Sequence, residues 1–466
     1  PPPPPPGAPH KHNRLMVKVL IPSGALGLNY DPIALQRGIA ARPDIIAIDG
    51  GSTDSGPSYL GRGVSKYARA STKLEWARLM AARTQANVPL VIGTAGTCGT
   101  DTAVDWMFEI TREIAIEQGI LVKVALLRSS QTPVDIADQY DAGQVTPLAG
   151  APGITSNDIR TCSNIVALAG AEHIAAALET GADIVIAGRA TDTAIIAALP
   201  LMHGCHAGAA WHGAKIGECG ALCATNPQSG VVMIDFDTSG FTVAPLADGA
   251  HATPHTVSAH MLYENSDPFI LYEPGGHLDV TGATYTALDD TSVRVEGSTW
   301  VPSDSYTVKL EGARPVGART VVMALLRDPR YVAQADAWAQ DIVAKCTAKI
   351  IDRLGLAAQD FTLELRLIGH SASFGALETK TAQPVEIGVI GIITAPTQDQ
   401  AAEIGKLLNP YLLHHPLTQE EEQPTFAFLF SPPEMHHGTI YEFTLNHVLH
   451  LDDPMQAFQL EVIDVG

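Results

Sequence analysis

Three stretches of this sequence end an apolar run in glycine, hydroxyl and acidic residues: IDGGSTDSGP (Ile48 to Pro57), IGTAGTCGTD (Ile92 to Asp101) and AGRATDTA (Ala187 to Ala194). Glycine-rich turns that open helices leave backbone N–H groups free, and such groups hold carboxylates or phosphates. Gly50, Gly51, Ser52, Thr53, Thr94, Thr97 and Thr191 are the expected substrate-binding residues of these turns. Arg189 offers a two-pronged clamp for a substrate carboxylate, or equally an ion pair with a nearby Asp. Asp54 and Asp192 would flank the anion as orienting or basic groups. In any one loop, Ser, Thr and Asp also serve as helix caps and Gly as a turn former. Three such loops in parallel point to a shared site.

A second cluster, MHGCHAGAAWHGAKIGECGALC, puts His203, Cys205, His206, His212, Glu218, Cys219 and Cys223 in one short stretch. Glu218 beside Cys219 can act as an acid/base and nucleophile pair, because burial raises a carboxyl pKa towards the value a proton shuttle needs. His203, His206, Cys219 and Cys223 are the alternative ligands of a divalent metal, though the tight CxxC pairing of structural zinc sites is missing. The competing reading is a closely packed Gly/Ala helix in which Cys is a small core residue. In the third cluster, His251 to Asp279, His260 and Glu264 fall four apart on one helical face, as an acid/base couple contacting substrate or as a plain surface pair. His414, His415, His436 and His437 read as loop residues at the surface or an interface. No GxGxxG or GxxxxGK phrase occurs, so no nucleotide cofactor is expected, and a divalent metal is the one possible cofactor.

The elements that must carry these residues alternate. VKVLIP, IIAIDGG, PLVIGTAG, LVKVALLRS and DIVIAGRATD read as strands, separated by helical patterns over DPIALQRGIAA, Ser71 to Gln85, Asp101 to Glu117 and Cys162 to Thr180. This rhythm predicts an α/β fold with a doubly wound, mostly parallel sheet over residues 15–230. Past residue 230, VVMIDFD, TSVRVEG and YTVKLEG suggest antiparallel pairing, so residues 231–466 are expected as a second α+β domain. Residues 1–14, led by six prolines, read as a disordered tail.

The balance of the chain sets limits. With 46% hydrophobic and 17% charged residues among 466, it can bury a real core. Its formal charge of -21 repels phosphate backbones and anionic membrane surfaces, so neither nucleic acid nor membrane is an expected partner. Six sparse cysteines suit reduced thiols, and with neither a secretory opening nor a membrane span in the sequence, a cytoplasmic protein is expected. Apolar strand edges near the end suggest a homo-oligomer.

IPSGALG, DGGSTDSGP, GTAGTCGTD, AGRATDTA, WHGAKIGECGA and SAHMLYENSDPFILYEPGG together resemble the AtuA-type acyclic terpene utilisation proteins, over roughly Val17 to Trp300. GTIYEFTLNHVLHLDDPMQAF resembles the small domain or partner protein that often accompanies the family. The resemblance implies catabolism of citronellol- or geraniol-like compounds through branched acyl-CoA thioesters. The expected function is thus a lyase, hydratase or isomerase acting on a carboxylate or branched acyl-CoA by acid/base chemistry. The alternative is a non-catalytic substrate-binding or assembly subunit that works with a partner protein.

Overall fold

A computed structural model describes residues 16–380 and 384–466; the proline-rich start over 1–14 lies outside them. The strands β1 (Val17–Ile21), β2 (Ile45–Asp49), β3 (Leu90–Gly93), Ile184–Ala187 and β4 (Val122–Arg128) lie side by side in that order, all parallel. Their residues are apolar at nearly every position, the mark of a sheet buried on both faces. Val19, Ala47, Val91, Ala125 and Val185 enter one core, and Leu20, Ile46, Ile92, Val124 and Ile186 the other. Of the helices α1 (Pro32–Ala40), α2 (Pro57–Arg62), α3 (Arg69–Ala86) and α4 (Asp101–Gln118), three (α1, α3, α4) pack on the second face. Helices Ala171–Glu179, Ala194–Met202 and Ala207–Gly217 pack on the first. The ends of these helices follow local rules. Asp31 caps α1 ahead of Pro32, and Gly119, left-handed at φ 62°, stops α4.

The sheet is mixed rather than mostly parallel. Val232–Phe236 pairs antiparallel with β1, followed outward by Gly240–Pro245, Val293–Glu296 and Thr284–Ala287, while Gln459–Val465 closes the far side against β4. Of the segments after residue 230, VVMIDFD and TSVRVEG thus extend the first sheet, while YTVKLEG enters Tyr306–Leu326 of another sheet. Accordingly the chain divides into one unit of residues up to Arg314 with Phe443–Gly466, and a second of Pro315–Glu442. One further sequence reading changes here. Cys162 to Thr180 is not a single helix: Ile165 and Val166 sit in a strand, Asn164–Ala167, and the helix begins only after Gly170.

The second unit takes its strands in the order Thr362–Ile368, Ile387–Ala395, the part of Tyr306–Leu326 that follows Arg314, and the part of Glu434–Leu451 that precedes Phe443, with helices Ala335–Leu354 and Gln398–His414, a βαββαβ layer of ferredoxin-like connectivity. Trp338, Ile342, Ile350, Ile393 and Leu408 form its own core. Of the histidines expected in loops, three lie in these elements and His415 immediately follows a helix. His414 ends a helix, His436 and His437 ride a strand, and buried His415 bonds Asp341 through Nε2 at 2.7 Å.

Candidate functional site

The carboxyl ends of β1, β2 and Ile184–Ala187 open into a cleft of about 950 Å³ in the first unit, lined by Ser23, Gly24, Asp49, Gly51, Ser52, Asp54, Asp192, Cys219, Tyr263 and Glu264 among others. That volume falls near the upper end of the usual small-molecule range. The glycines bring the loops together. A Cβ on Gly50 would lie 2.4 Å from the Thr94 carbonyl oxygen, one on Gly99 would lie 2.3 Å from the Arg189 nitrogen, and Gly51 sits at φ 109°. Thr94 and Thr97 are left-handed at φ 45° and 76°, a costly conformation for β-branched residues that the surrounding bonds sustain. A second cavity, about 620 Å³, lies in the other unit, where the Arg366 and Glu364 side chains that line it pair with each other.

Arg189 is placed beneath the cleft, not in it. Its Nε and Nη2 donate to the Glu311 carboxylate at 3.0 and 3.3 Å, and Nη1 donates to Thr94 Oγ1 at 3.1 Å and to the Ala190 carbonyl at 3.0 Å. Thr53 Oγ1 donates to the same Glu311 at 2.9 Å. Four of the five Arg189 N–H donors are thus engaged and Nη1 also lies 3.6 Å from Asp192 Oδ1, so of the two readings the structure shows the ion pair, with Glu311 as well as an Asp, and the guanidinium is a strut that ties three strand-end loops to Glu311. The Arg189 guanidinium, with help from Lys309, holds the buried Glu311 carboxyl down at about 2 despite its desolvation. Thr97 is likewise internal, accepting from the Lys66 N–H at 3.3 Å, and Thr191 Oγ1 accepts from the Ala194 N–H at 3.3 Å.

The cleft wall beside this strut is acidic. Asp49 closes β2, where the Gly51 N–H donates to Oδ2 at 2.8 Å and Oδ1 is buried with no partner. Burial, then the neighbouring Asp192, raise its carboxyl well above the usual range. The same desolvation, opposed by Arg189, carries Asp192 to about 6. It carries Glu218 to about 8 against Lys215, and Glu273 to about 7 against its Thr193 hydrogen bond. Arg189 thus bears on Asp49 and Asp192, and the buried cation Lys215 on Asp192, Glu218 and Glu273, yet burial raises all four carboxyls.

Helix Ala207–Gly217 sets the position of Lys215, Glu218 and Cys219. Added Cβ atoms on Gly208 and Gly213 would lie 2.3 Å from the Ser298 carbonyl oxygen and 2.4 Å from the Phe236 ring, so the helix sits hard against the antiparallel strands. Lys215 Nζ pairs with Glu218 Oε1, and the next residue, Cys219, lines the cleft. Burial, then the Glu218 and Asp192 charges, push the Cys219 thiol up, which favours the protonated thiol over a nucleophilic thiolate. His260, at the end of Pro254–Ala259, stacks on Tyr263 at 5.3 Å; burial holds it neutral with its pKa down at about 4, and its Nε2 has no partner. One ligand-type atom from each of Glu218, Cys219 and His260 lies within 4.8 Å of the others.

The expected metal set of His203, His206, Cys219 and Cys223 does not assemble. His203 and His206 flank the start of the helix, and 11 residues of helix, roughly 16 Å, separate them from Cys219. Cys223 is buried, its thiol directed to the Gly220 carbonyl. His212 is equally internal, bonded to Ser298 Oγ at 2.7 Å. Of the residues expected at the site, Gly51, Ser52, Asp54, Asp192, Cys219 and Glu264 line the cleft, while Glu218 and His260 stand beside Cys219. His260 and Glu264 do not share a helical face, since a 3₁₀ turn ends at Leu262 and Glu264 is left-handed at φ 51°. Glu273 belongs to the polar cluster that the sequence shows over His251 to Asp279, whereas Asp49, Lys215 and Glu311 escaped the sequence reading. An acid ending an otherwise apolar strand would have signalled Asp49, and a lysine in a Gly/Ala helix Lys215. Glu311 lies 122 residues from its partner and leaves no local trace.

A family model described as acyclic terpene utilisation family protein AtuA matches residues 64–426. The IPSGALG and DGGSTDSGP phrases precede the matched range. No curated protein and no solved structure matches the chain. Among the described residues, no helix is long and apolar enough to cross a membrane.

Proposed function

Because the chain belongs to the acyclic terpene utilisation AtuA family, we propose that it is a catabolic lyase, hydratase or isomerase that moves a proton on a branched acyl-CoA thioester. The observation carrying this reading is the set of raised carboxyls, Asp49 and Asp192 on the cleft wall with Glu218 and Glu273 coupled to Asp192 behind it. Carboxyls with pKa values near the working pH both give and accept protons, the requirement of general acid/base catalysis. Asp49 and Asp192 line the cleft and serve as the proton-transferring pair, with Glu218 exchanging protons behind them. Of the two substrate types, the thioester presents an uncharged reacting carbonyl that a protonated carboxyl can polarise by hydrogen bonding. Leu28, Tyr30, Leu222 and Tyr263 supply apolar surface for an acyclic chain.

The parallel portion is read as doubly wound, with the crossover direction reversing between β3 and Ile184–Ala187, and the cleft then lies where such sheets bind ligands. The test is deuterium exchange. The chain is incubated in D2O with saturated and unsaturated branched acyl-CoA thioesters, and mass spectrometry follows label at carbon. Label incorporation that disappears in Asp49→Asn supports the reading. Saturable binding without exchange would move the chain to a substrate-binding or assembly role.

A further inference from the structure

We propose that Glu218, Cys219 and His260 form a divalent-metal site of zinc type, with an open coordination position facing the cleft. The three donor atoms already lie within 4.8 Å of one another, so small side-chain rotations bring them to a common ion. Sulfur, imidazole nitrogen and carboxylate oxygen are the set that zinc accepts, at roughly 2.0 to 2.3 Å, and three protein ligands with a free fourth place make a catalytic type of site. Cys219 borders the cleft, so the fourth place opens there.

A second observation is independent of the cluster's composition. His260 is 5% exposed and its Nε2 has no hydrogen-bond partner, although buried ring nitrogens ordinarily find one. A metal ion supplies what this imidazole lacks. Charge points the same way. The groups facing the site from neighbouring elements are Asp192, Glu264 and Glu273, with Lys215 as the local cation, and Lys215 occupies only Oε1 of Glu218. A divalent ion offsets the remaining negative charge. Binding replaces the Cys219 thiol proton and the proton of the Glu218 carboxyl by the metal: the S–H and O–H bonds break, metal–sulfur and metal–oxygen bonds form, and both protons leave to solvent.

The experiment uses the full chain, stripped of metal by chelator and titrated with Co²⁺. The expected result is one equivalent bound, with a thiolate-to-cobalt charge-transfer band in the near ultraviolet and visible bands of tetrahedral intensity. Cys219→Ser abolishes the ultraviolet band and His260→Ala weakens binding at least tenfold, while Cys223→Ser, a buried thiol outside the cluster, leaves both intact. Zn²⁺ displaces the spectrum stoichiometrically. A folded wild-type chain that binds no cobalt, or whose band survives Cys219→Ser, overturns the proposal. Proton exchange by the metal-free chain leaves the acid/base reading standing whatever cobalt does, and a cobalt site without any exchange sinks only that reading.

Discussion

Arg189 and Glu311 are each less than a tenth exposed and hold one another by two hydrogen bonds. Removing one partner strands a charge in a low-dielectric interior, so Arg189→Met should cost about 3–5 kcal/mol, whereas Arg189→Met with Glu311→Leu should recover most of that. Urea unfolding checks both; a stable single variant with lost substrate binding would restore the clamp. Asp49 behaves differently, because its side chain bears on the cleft as well as on its own loop. Asp49→Asn keeps the shape but not the proton, and should lower kcat/KM about 10²–10⁴-fold with little change in melting. At this scale the sequence was legible where function is local: strand, glycines, hydroxyl, acid. It was illegible where a charge finds its partner across the fold, as Arg189 does.

At the scale of elements, the helix Ala207–Gly217 rests on its neighbours through glycine. Gly208→Ala puts a methyl 2.3 Å from the Ser298 carbonyl and should destabilise by about 1–3 kcal/mol, with Glu218 and Cys219 displaced. Gly153→Ala, in open space with no left-handed φ, is the matched control and should be neutral within about 0.5 kcal/mol. Equal effects of the two in thermal unfolding would refute the close-packing argument. The Gly/Ala pattern did show a tightly packed helix in the sequence, and the five parallel strands were equally readable from their apolar runs. Strand pairing was not. Val19 opposite Ile234 is a register between segments more than two hundred residues apart, and nothing in VVMIDFD announces which sheet it joins.

For the whole molecule, the raised carboxyls make stability depend on pH in an uncommon direction. Asp192, Glu218 and Glu273 bind protons more tightly folded, at about 6, 8 and 7, than unfolded, where carboxyls titrate near roughly 4. Their contribution is full below about pH 4 and is lost as pH rises to about 8, since each must then be charged while buried. Melting midpoints of the chelator-treated chain should therefore fall from pH 5.5 to 8.5, and Glu218→Gln should flatten the slope. A midpoint that rises over this window, or an unchanged slope in the variant, contradicts the assignment. The net charge of -21 adds a repulsive background common to both proteins, so their difference isolates the site.

One pairing at this scale reaches beyond the finished fold. The outer edge of β4 is covered by Gln459–Val465 in a seven-pair antiparallel register. Every other strand of that sheet emerges from the ribosome earlier, and so does all of Pro315–Glu442. The inserted unit can complete its own layer during synthesis while the enclosing sheet waits, its β4 edge of Val122, Val124 and Leu126 open to any passing strand. Vectorial synthesis thus matures the insertion before its host, and chains stalled short of residue 459 are the ones a cell must shield from aggregation.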